Sequence, residues 1–354
     1  MARRVKAARA KAVRAKTPRG GTPAASPSRA KTGAKAGAKT GAKTGANAAA
    51  PPRAPAVDLS TLLDYVRFAV SRFNAANVVF AHGTTDAVAE AVFLVCESLH
   101  LRPEQFESFA SARLTAPEGE QTLALIEARI KTRKPAAYLL NKIYMLGLPF
   151  YVDERVIVPR SFIGELLQSH FGDADGGLIE EAGAVTRVLD LCTGSGCLAI
   201  LAARQFPNAQ IDAVDVSRDA LAVAARNVAD YGLEDTIALY HGDLFAALPP
   251  DARYDLIITN PPYVDAEGMA NLPRECHYEP RLALDGGVDG LDVVRRILAE
   301  AGDHLVEGGG LLCEVGRGRD MVEEAFPDLP FLWLDTEESE GEVFWLPAEA
   351  LSQF

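Results

Sequence analysis

The first 56 residues contain no carboxylate, although they carry 14 Lys or Arg. They also hold almost no large apolar side chain, so this stretch cannot bury enough surface to offset the entropy of ordering. The unit Lys-Thr-Gly-Ala starts at Lys31, Lys39 and Lys43. Residues 1–56 are therefore expected to form a disordered basic tail. Such a tail is either a passive solvated segment or a weak contact for RNA and other polyanions. Cysteine is sparse, with five residues at 96, 192, 197, 276 and 313 and no Cys-x-x-Cys pair. The six histidines do not cluster either. Neither a zinc site nor a disulfide framework is indicated, and no metal is expected. No apolar run reaches the roughly twenty residues of a membrane helix. The N-terminus lacks the apolar centre of a secretory signal, although a basic, acid-poor transit peptide shares its composition. A cytoplasmic setting is expected.

Beyond the tail the charge reverses. The remaining chain holds 22 basic residues against all 48 acids. An acidic body disfavours a broad nucleic-acid footprint and favours a basic protein substrate, although acidity also serves plain solubility. Order is expected from Val57. Leu59, Leu62, Leu63, Val66, Phe68, Ala69, Val70 and Phe73 recur at helical spacing, with Asp58 or Ser60 as cap. Further helices are predicted over 85–100 and 117–132, making 57–140 a helical domain. Aromatic and β-branched residues over 144–158 predict a hairpin linker within 141–160. From 161 to 354 strands and helices alternate. Strands are predicted at 187–192, 210–216, 237–243, 254–260, 309–316, 330–335 and 342–348, with helices between the first five. The fold class is α/β: a Rossmann-like seven-stranded sheet, mostly parallel, with an antiparallel hairpin at its edge.

Two motifs carry the chemistry. After the apolar run Arg187 to Leu191 comes Cys192-Thr193-Gly194-Ser195-Gly196 and then a helical pattern. Glycines there permit a tight turn and close approach of a ligand, and the helix start offers free N–H groups. The third glycine of the dinucleotide fingerprint is missing, since Ala199 stands in its place. The next strand ends at Asp215, placed to accept two ribose hydroxyls or simply to cap the following helix. The second motif is Asn260-Pro261-Pro262-Tyr263, directly after the run Tyr254 to Thr259. An Asn on a strand end, locked by two prolines and followed by a ring, suits a planar amino group. It can engage both N–H bonds and stack the flat group. The plain alternative is an ordinary Asn-Pro turn.

Together these motifs resemble class I S-adenosylmethionine-dependent methyltransferases, and the Asn-Pro-Pro-Tyr turn resembles that of the amino and amide methyltransferases among them. Asp265, Glu279-Pro280 and Gly286-Gly287-Val288-Asp289-Gly290-Leu291 extend the resemblance to the glutamine amide methyltransferases. Two branches of that family share the pattern, one acting on peptide release factors and one on ribosomal protein L3. The release-factor branch usually has Pro-Arg-Pro, then Glu or Asp and Thr. Here Ser161 and Phe162 follow Pro159-Arg160, which resembles the ribosomal-protein branch, as do Ala112 to Thr115 and Pro135 to Leu139. The resemblance spans about residues 58–350.

The resemblance implies a set of roles. The Asn260 side-chain oxygen and the Pro261 carbonyl would accept the two N–H bonds of a glutamine amide, with Pro262 in the turn and Tyr263 as a wall. S-adenosyl-L-methionine would lie over Cys192, Thr193, Gly194, Ser195 and Gly196. Asp190 would meet its ammonium group, Asp215 its ribose, and Asp243 with Leu244 its adenine. Phe150 and Arg160 would cover it from the domain junction. The helical domain 57–140 would dock the protein substrate, and 161–354 would be the catalytic domain. Three rivals remain at this point. They are the release-factor substrate, an amino methyltransferase acting on a nucleic-acid base, and a binding protein whose tail is the functional part.

Overall fold

The computed structural model describes residues 59–171, 177–179 and 182–352. The expected disordered tail, 1–56, lies outside the described residues, which form one compact unit.

The first layer is helical: α1 (Leu62–Ala75), α2 (Ala87–Ser98), α3 (Phe106–Phe109), α4 (Ala116–Thr132) and α5 (Ala136–Leu140). The cap of α1 is Thr61, not Asp58 or Ser60. Its hydroxyl accepts the Asp64 N–H, while the Asp64 carboxylate accepts the Thr61 N–H at 2.9 Å. This reciprocal pair satisfies two donors that the helix start leaves free. Leu62, Tyr65, Val66, Ala69 and Phe73 form the buried stripe of α1. Arg129 of α4 is fully buried, and its charge is met by Glu90 of α2 at 2.6 Å.

The hairpin is shorter than its sequence suggests. Strands β1 (Ile143–Met145) and β2 (Leu148–Phe150) pair across Leu146-Gly147, both with positive φ, as a two-residue turn of right-handed twist requires. Pairing stops at Tyr151 because the Asn227 carboxamide takes both its N–H (2.8 Å) and its carbonyl (3.0 Å). The segment to Phe162 then runs on without a ladder, burying Val152, Val156 and Val158, and leads into α6 (Ile163–Ser169).

The remaining elements are β3 (Arg187–Leu191), α7 (Cys197–Gln205), β4 (Gln210–Asp215), α8 (Arg218–Asp230), β5 (Ile237–His241), β6 (Tyr254–Thr259), α9 (Ala266–Ala270), α10 (Asp292–His304), β7 (Leu305–Glu314), α11 (Arg319–Ala325), β8 (Leu332–Leu334), β9 (Val343–Pro347) and α12 (Ala348–Leu351). The sheet order is β5-β4-β3-β6-β7-β9-β8, parallel except for β9, which runs antiparallel to both its neighbours. Alternation along the strands divides the core. Val188, Ile211, Ala213, Leu256, Ile258 and Leu312 face α6, α7 and the helical layer. Leu189, Leu191, Val214, Ile257, Leu311 and Cys313 face α10 and α12. The core of the helical layer thus runs on into one face of the sheet.

One expected helix is missing. Between β5 and β6 the chain forms a single 3-10 turn, Leu244–Ala247. The connection contains Pro249-Pro250, and Gly242 packs so closely on Ala247 that an added Cβ would lie 2.6 Å from that side chain. Proline blocks helical hydrogen bonding, which leaves room for only one turn.

Candidate active site

The chain passes from β3 outward to β4 and β5, then returns to β6 on the other side of β3. The strand order therefore reverses between β3 and β6, and a crevice opens at the carboxyl ends of the strands there. It holds a cavity of about 310 Å³. Cys192 and Gly194 line it from the turn after β3, Asp215 to Ser217 from β4, Asp243 and Leu244 from β5, and Asn260 and Pro262 from β6.

The turn after β3 is built for close approach. Cys192, Gly194 and Gly196 have φ of 59°, 57° and 79°. A Cβ on Gly196 would come within 3.2 Å of Ala224 on α8. Asp215 holds this turn in place: one carboxylate oxygen accepts the Gly194 N–H (2.9 Å) and the other the Ser217 N–H (2.8 Å). The cap of α8 is Ser217, so Asp215 is not the capping residue. Burial raises its pKa, as expected for a carboxylate walled into a cavity. Asp243 also faces the cavity and pairs with Arg296 of α10 at 2.9 Å. The backbone turn and two carboxylates suit a group with an amino-acid end, a ribose diol and a purine amine.

Several residues expected in this cavity lie elsewhere. Asp190 is fully buried behind the turn, where one oxygen accepts the Thr193 hydroxyl (2.6 Å) and the Ala199 N–H (3.0 Å). Its other oxygen has no hydrogen-bond partner among the described residues, and burial pushes its pKa up to about 7. Asp190 braces the turn against α7. Thr193, Ser195 and Gly196 shape the turn without lining the cavity. Phe150 packs on Tyr231 with ring centroids 5.5 Å apart. Arg160 spends both arms on Glu279, at 2.6 and 2.9 Å. The junction residues that do line the cavity are Arg155, Val156 and Ile157, just before Pro159-Arg160.

Asn260 is half-buried, and its carboxamide makes no hydrogen bond to any described residue. Tyr263 does not face the cavity. Its ring lies against Gly316, where a Cβ would meet it at 2.6 Å, and its hydroxyl donates to Glu314 at 3.3 Å. The phenol pKa is raised by burial and then by Glu314.

Sequence reasoning also missed how the segment after the Asn turn is held. Residues 274–280 reach the helical layer through two buried acids. Glu275 accepts the Val79 N–H at 3.1 Å and lies 3.5 Å from Arg133. Glu279 accepts the Val158 N–H and both Arg160 arms, with His82 at 3.5 Å. Burial alone would raise the Glu279 pKa, but His82 and Arg160 outweigh it and hold it at about 2. The Glu279-Pro280 pair was visible in the sequence, but nothing local there reveals a partner 119 residues away. His82, Cys276 and Glu279 lie within 4.8 Å of one another. The Arg160 guanidinium already occupies the carboxylate, which opposes a cation there.

The Methyltransferase small domain family matches residues 176–273, spanning the turn after β3 through the Asn turn. Among solved structures, a ribosomal protein L11 methylase from Lactobacillus delbrueckii subsp. bulgaricus is 22% identical, with a TM-score of 0.37 over 55% of this chain and 81% of that one. A ribosomal protein uL3 glutamine methyltransferase from Burkholderia pseudomallei is 53% identical, covering 82% of this chain and 95% of its own length. One from Bradyrhizobium diazoefficiens is 71% identical over 296 residues, 83% of this chain and 92% of that relative. At that identity and coverage, the chain belongs to the ribosomal protein uL3 glutamine methyltransferase family, and its cofactor is S-adenosyl-L-methionine.

Proposed function

We propose that this protein methylates the side-chain amide nitrogen of a glutamine in ribosomal protein uL3, in the cytoplasm. The observation that carries the proposal is the placement of Asn260 in one cavity with Gly194, Asp215 and Asp243. An amide acceptor and a nucleoside-binding turn thereby share a wall.

When bound, S-adenosyl-L-methionine supplies an electrophilic sulfonium methyl group. Asp215 fits the ribose hydroxyls, Asp243 and Leu244 the adenine, and the Cys192 to Gly196 turn the methionine part. On the substrate side, the Asn260 side-chain oxygen and the Pro261 carbonyl accept the two amide N–H bonds. Among the described residues nothing donates a hydrogen bond to the Pro261 carbonyl, so it is available. An amide nitrogen is a weak nucleophile because its lone pair is delocalised. The two acceptors become stronger partners as the nitrogen turns cationic, so they favour the transition state over the ground state. Alignment supplies the rest, without an acid or base acting first. Residues 57–140 dock the substrate protein and present one glutamine to Asn260. Support for this comes from the buried contacts of Glu275 and Glu279, which tie that layer to the segment next to Pro280 on the cavity wall. The acidic body matches a basic ribosomal protein and steers it over long range.

The experiment is methylation with labelled cofactor of purified uL3 and of a release factor in parallel, read by mass spectrometry. Gain of one methyl on a uL3 glutamine is expected. Methylation of the release factor alone would move the substrate to the other branch of the family and leave the chemistry standing.

A further inference from the structure

We propose that Glu314 is a positioning residue for methyl transfer, holding the amide-binding turn in place through the Tyr263 hydroxyl. The inference rests on the reading of Asn260 and Pro261 given above.

The turn needs an outside anchor. Pro261 and Pro262 have no N–H to donate, and no described residue donates to either of their carbonyls. Downstream, the backbone is next fixed at Val264, whose N–H donates to the Leu284 carbonyl at 2.8 Å. In between, the Tyr263 side chain is the anchor. Its ring lies on Gly316 and its hydroxyl reaches Glu314.

Glu314 is the last residue of β7, one step beyond Cys313, which pairs with Thr259 just before Asn260. It is 1% exposed. One carboxyl oxygen receives the Tyr263 hydroxyl. The other receives the Ser161 hydroxyl at 2.6 Å and the Phe162 N–H at 3.0 Å. The same group therefore joins the amide-binding turn to the junction that leads into α6. Among the described residues it has no cationic partner, and the nearby Glu342 carboxylate opposes its ionisation. Burial is the larger cause, and together they push its pKa up to about 7. Arg160 acts on the Tyr263 phenol from the junction side, favouring its ionised form.

A buried acid without a counter-ion costs stability. A glutamine would fill the same space without that cost: its amide oxygen would accept from Ser161 and Phe162, and its NH2 group would donate to the Tyr263 hydroxyl oxygen. An acid at the end of a strand, beside the reacting turn, is therefore better explained by function than by packing. Once ionised, the carboxylate accepts from all three donors at once, and the bond from Tyr263 becomes charge-assisted and firmer. The turn should tighten as pH rises through neutrality.

The test uses the full chain with uL3 as substrate and compares Glu314→Ala, Glu314→Gln and Asn260→Ala. Each is measured for kcat, KM, cofactor affinity by calorimetry and melting temperature. Glu314→Ala should lower kcat about tenfold, with KM and cofactor affinity within about twofold, the pattern of an interaction needed only at the transition state. Glu314→Gln should recover most of the rate and lose the rise in kcat across neutral pH that the unaltered enzyme shows. A normal kcat in Glu314→Ala would overturn the proposal. So would a parallel loss of cofactor affinity and melting temperature, which marks a structural role, or an unchanged pH profile in Glu314→Gln. If Asn260→Ala is inactive while Glu314→Ala is normal, only this inference fails. If Asn260→Ala turns over normally, the reading of the site falls with it.

Discussion

The Thr259 hydroxyl donates to the Leu191 carbonyl at 3.0 Å, and the two residues are register partners on β6 and β3. Their successors, Asn260 and Cys192, therefore leave the sheet side by side. One begins the proposed amide-binding turn and the other the proposed cofactor turn, and both line one cavity. On the proposed reading, the distance between methyl acceptor and donor is set by a strand ladder at the centre of the sheet, which moves less than a loop. Thr259 is fully buried, so Thr259→Val keeps the shape and removes one hydrogen bond. The expected cost is about 1 kcal/mol in stability. The turnover number should fall several-fold while cofactor affinity holds, as steady-state kinetics and calorimetry would show.

On the proposed reading, Asn260→Ala removes an acceptor that strengthens as the amide nitrogen becomes cationic. A loss of about 3 kcal/mol in transition-state stabilisation, or a rate drop beyond roughly a hundredfold, is expected. Cofactor affinity and melting temperature should stay near their original values. Near-normal turnover would rule out the assigned role.

Asp215→Ala should act on the other side of the cavity. The variant loses both the proposed ribose acceptor and the bonds that hold Gly194 and Ser217. Cofactor binding should weaken roughly tenfold to a hundredfold, the range of one or two charge-assisted bonds. Unchanged affinity by calorimetric titration would show that Asp215 serves only to shape the loop.

How far the sequence could be read depends on how local each signal was. The sheet was legible because apolar alternation and turn residues mark strands within a few positions, and the edge hairpin followed from the short spacing of β8 and β9. That Asn260 and Asp215 face one cavity was legible because a strand end fixes where a side chain emerges. Asp190 was not, since nothing local says that its carboxylate folds under the turn to Thr193 and Ala199. Arg160 lies beside the true lining residues, but its partner Glu279 is distant in sequence and draws it away. The same holds for Tyr263, whose orientation depends on Gly316 and Glu314. The helix wrongly expected between β5 and β6 followed from the alternation alone, against the local veto of Pro249-Pro250.

The buried Asp190 predicts an unusual pH dependence of stability. Its ordinary pKa is 3.8, and in the fold it is pushed up to about 7. Between those values the folded protein binds more protons than the unfolded chain. Stability should therefore fall as pH rises through this window and level off above it. Asp190→Asn cannot titrate, so its melting temperature, measured against that of the unaltered protein, should gain steadily from acid to neutral pH. Glu314 has a raised pKa too and contributes with the same sign. A constant difference in melting temperature across that range would show that Asp190 titrates normally.

The basic tail offers the last prediction, drawn from sequence alone. Residues 1–56 carry 14 positive charges and no acid, ahead of a body in which 48 acids face 22 bases. A chain with so few large apolar side chains has little to bury. Its removal should leave the melting temperature and the methylation of purified uL3 nearly unchanged. The acidic body alone should then govern encounter with the basic substrate, so the association rate should drop as salt rises. Retention on RNA or another polyanion should change in the opposite way. The full chain should bind weakly with a steep salt dependence, because each phosphate contact releases counterions, and the truncated chain should not bind. Equal retention of both chains would place polyanion binding on the body. A large fall in melting temperature on truncation would show instead that the tail packs against it.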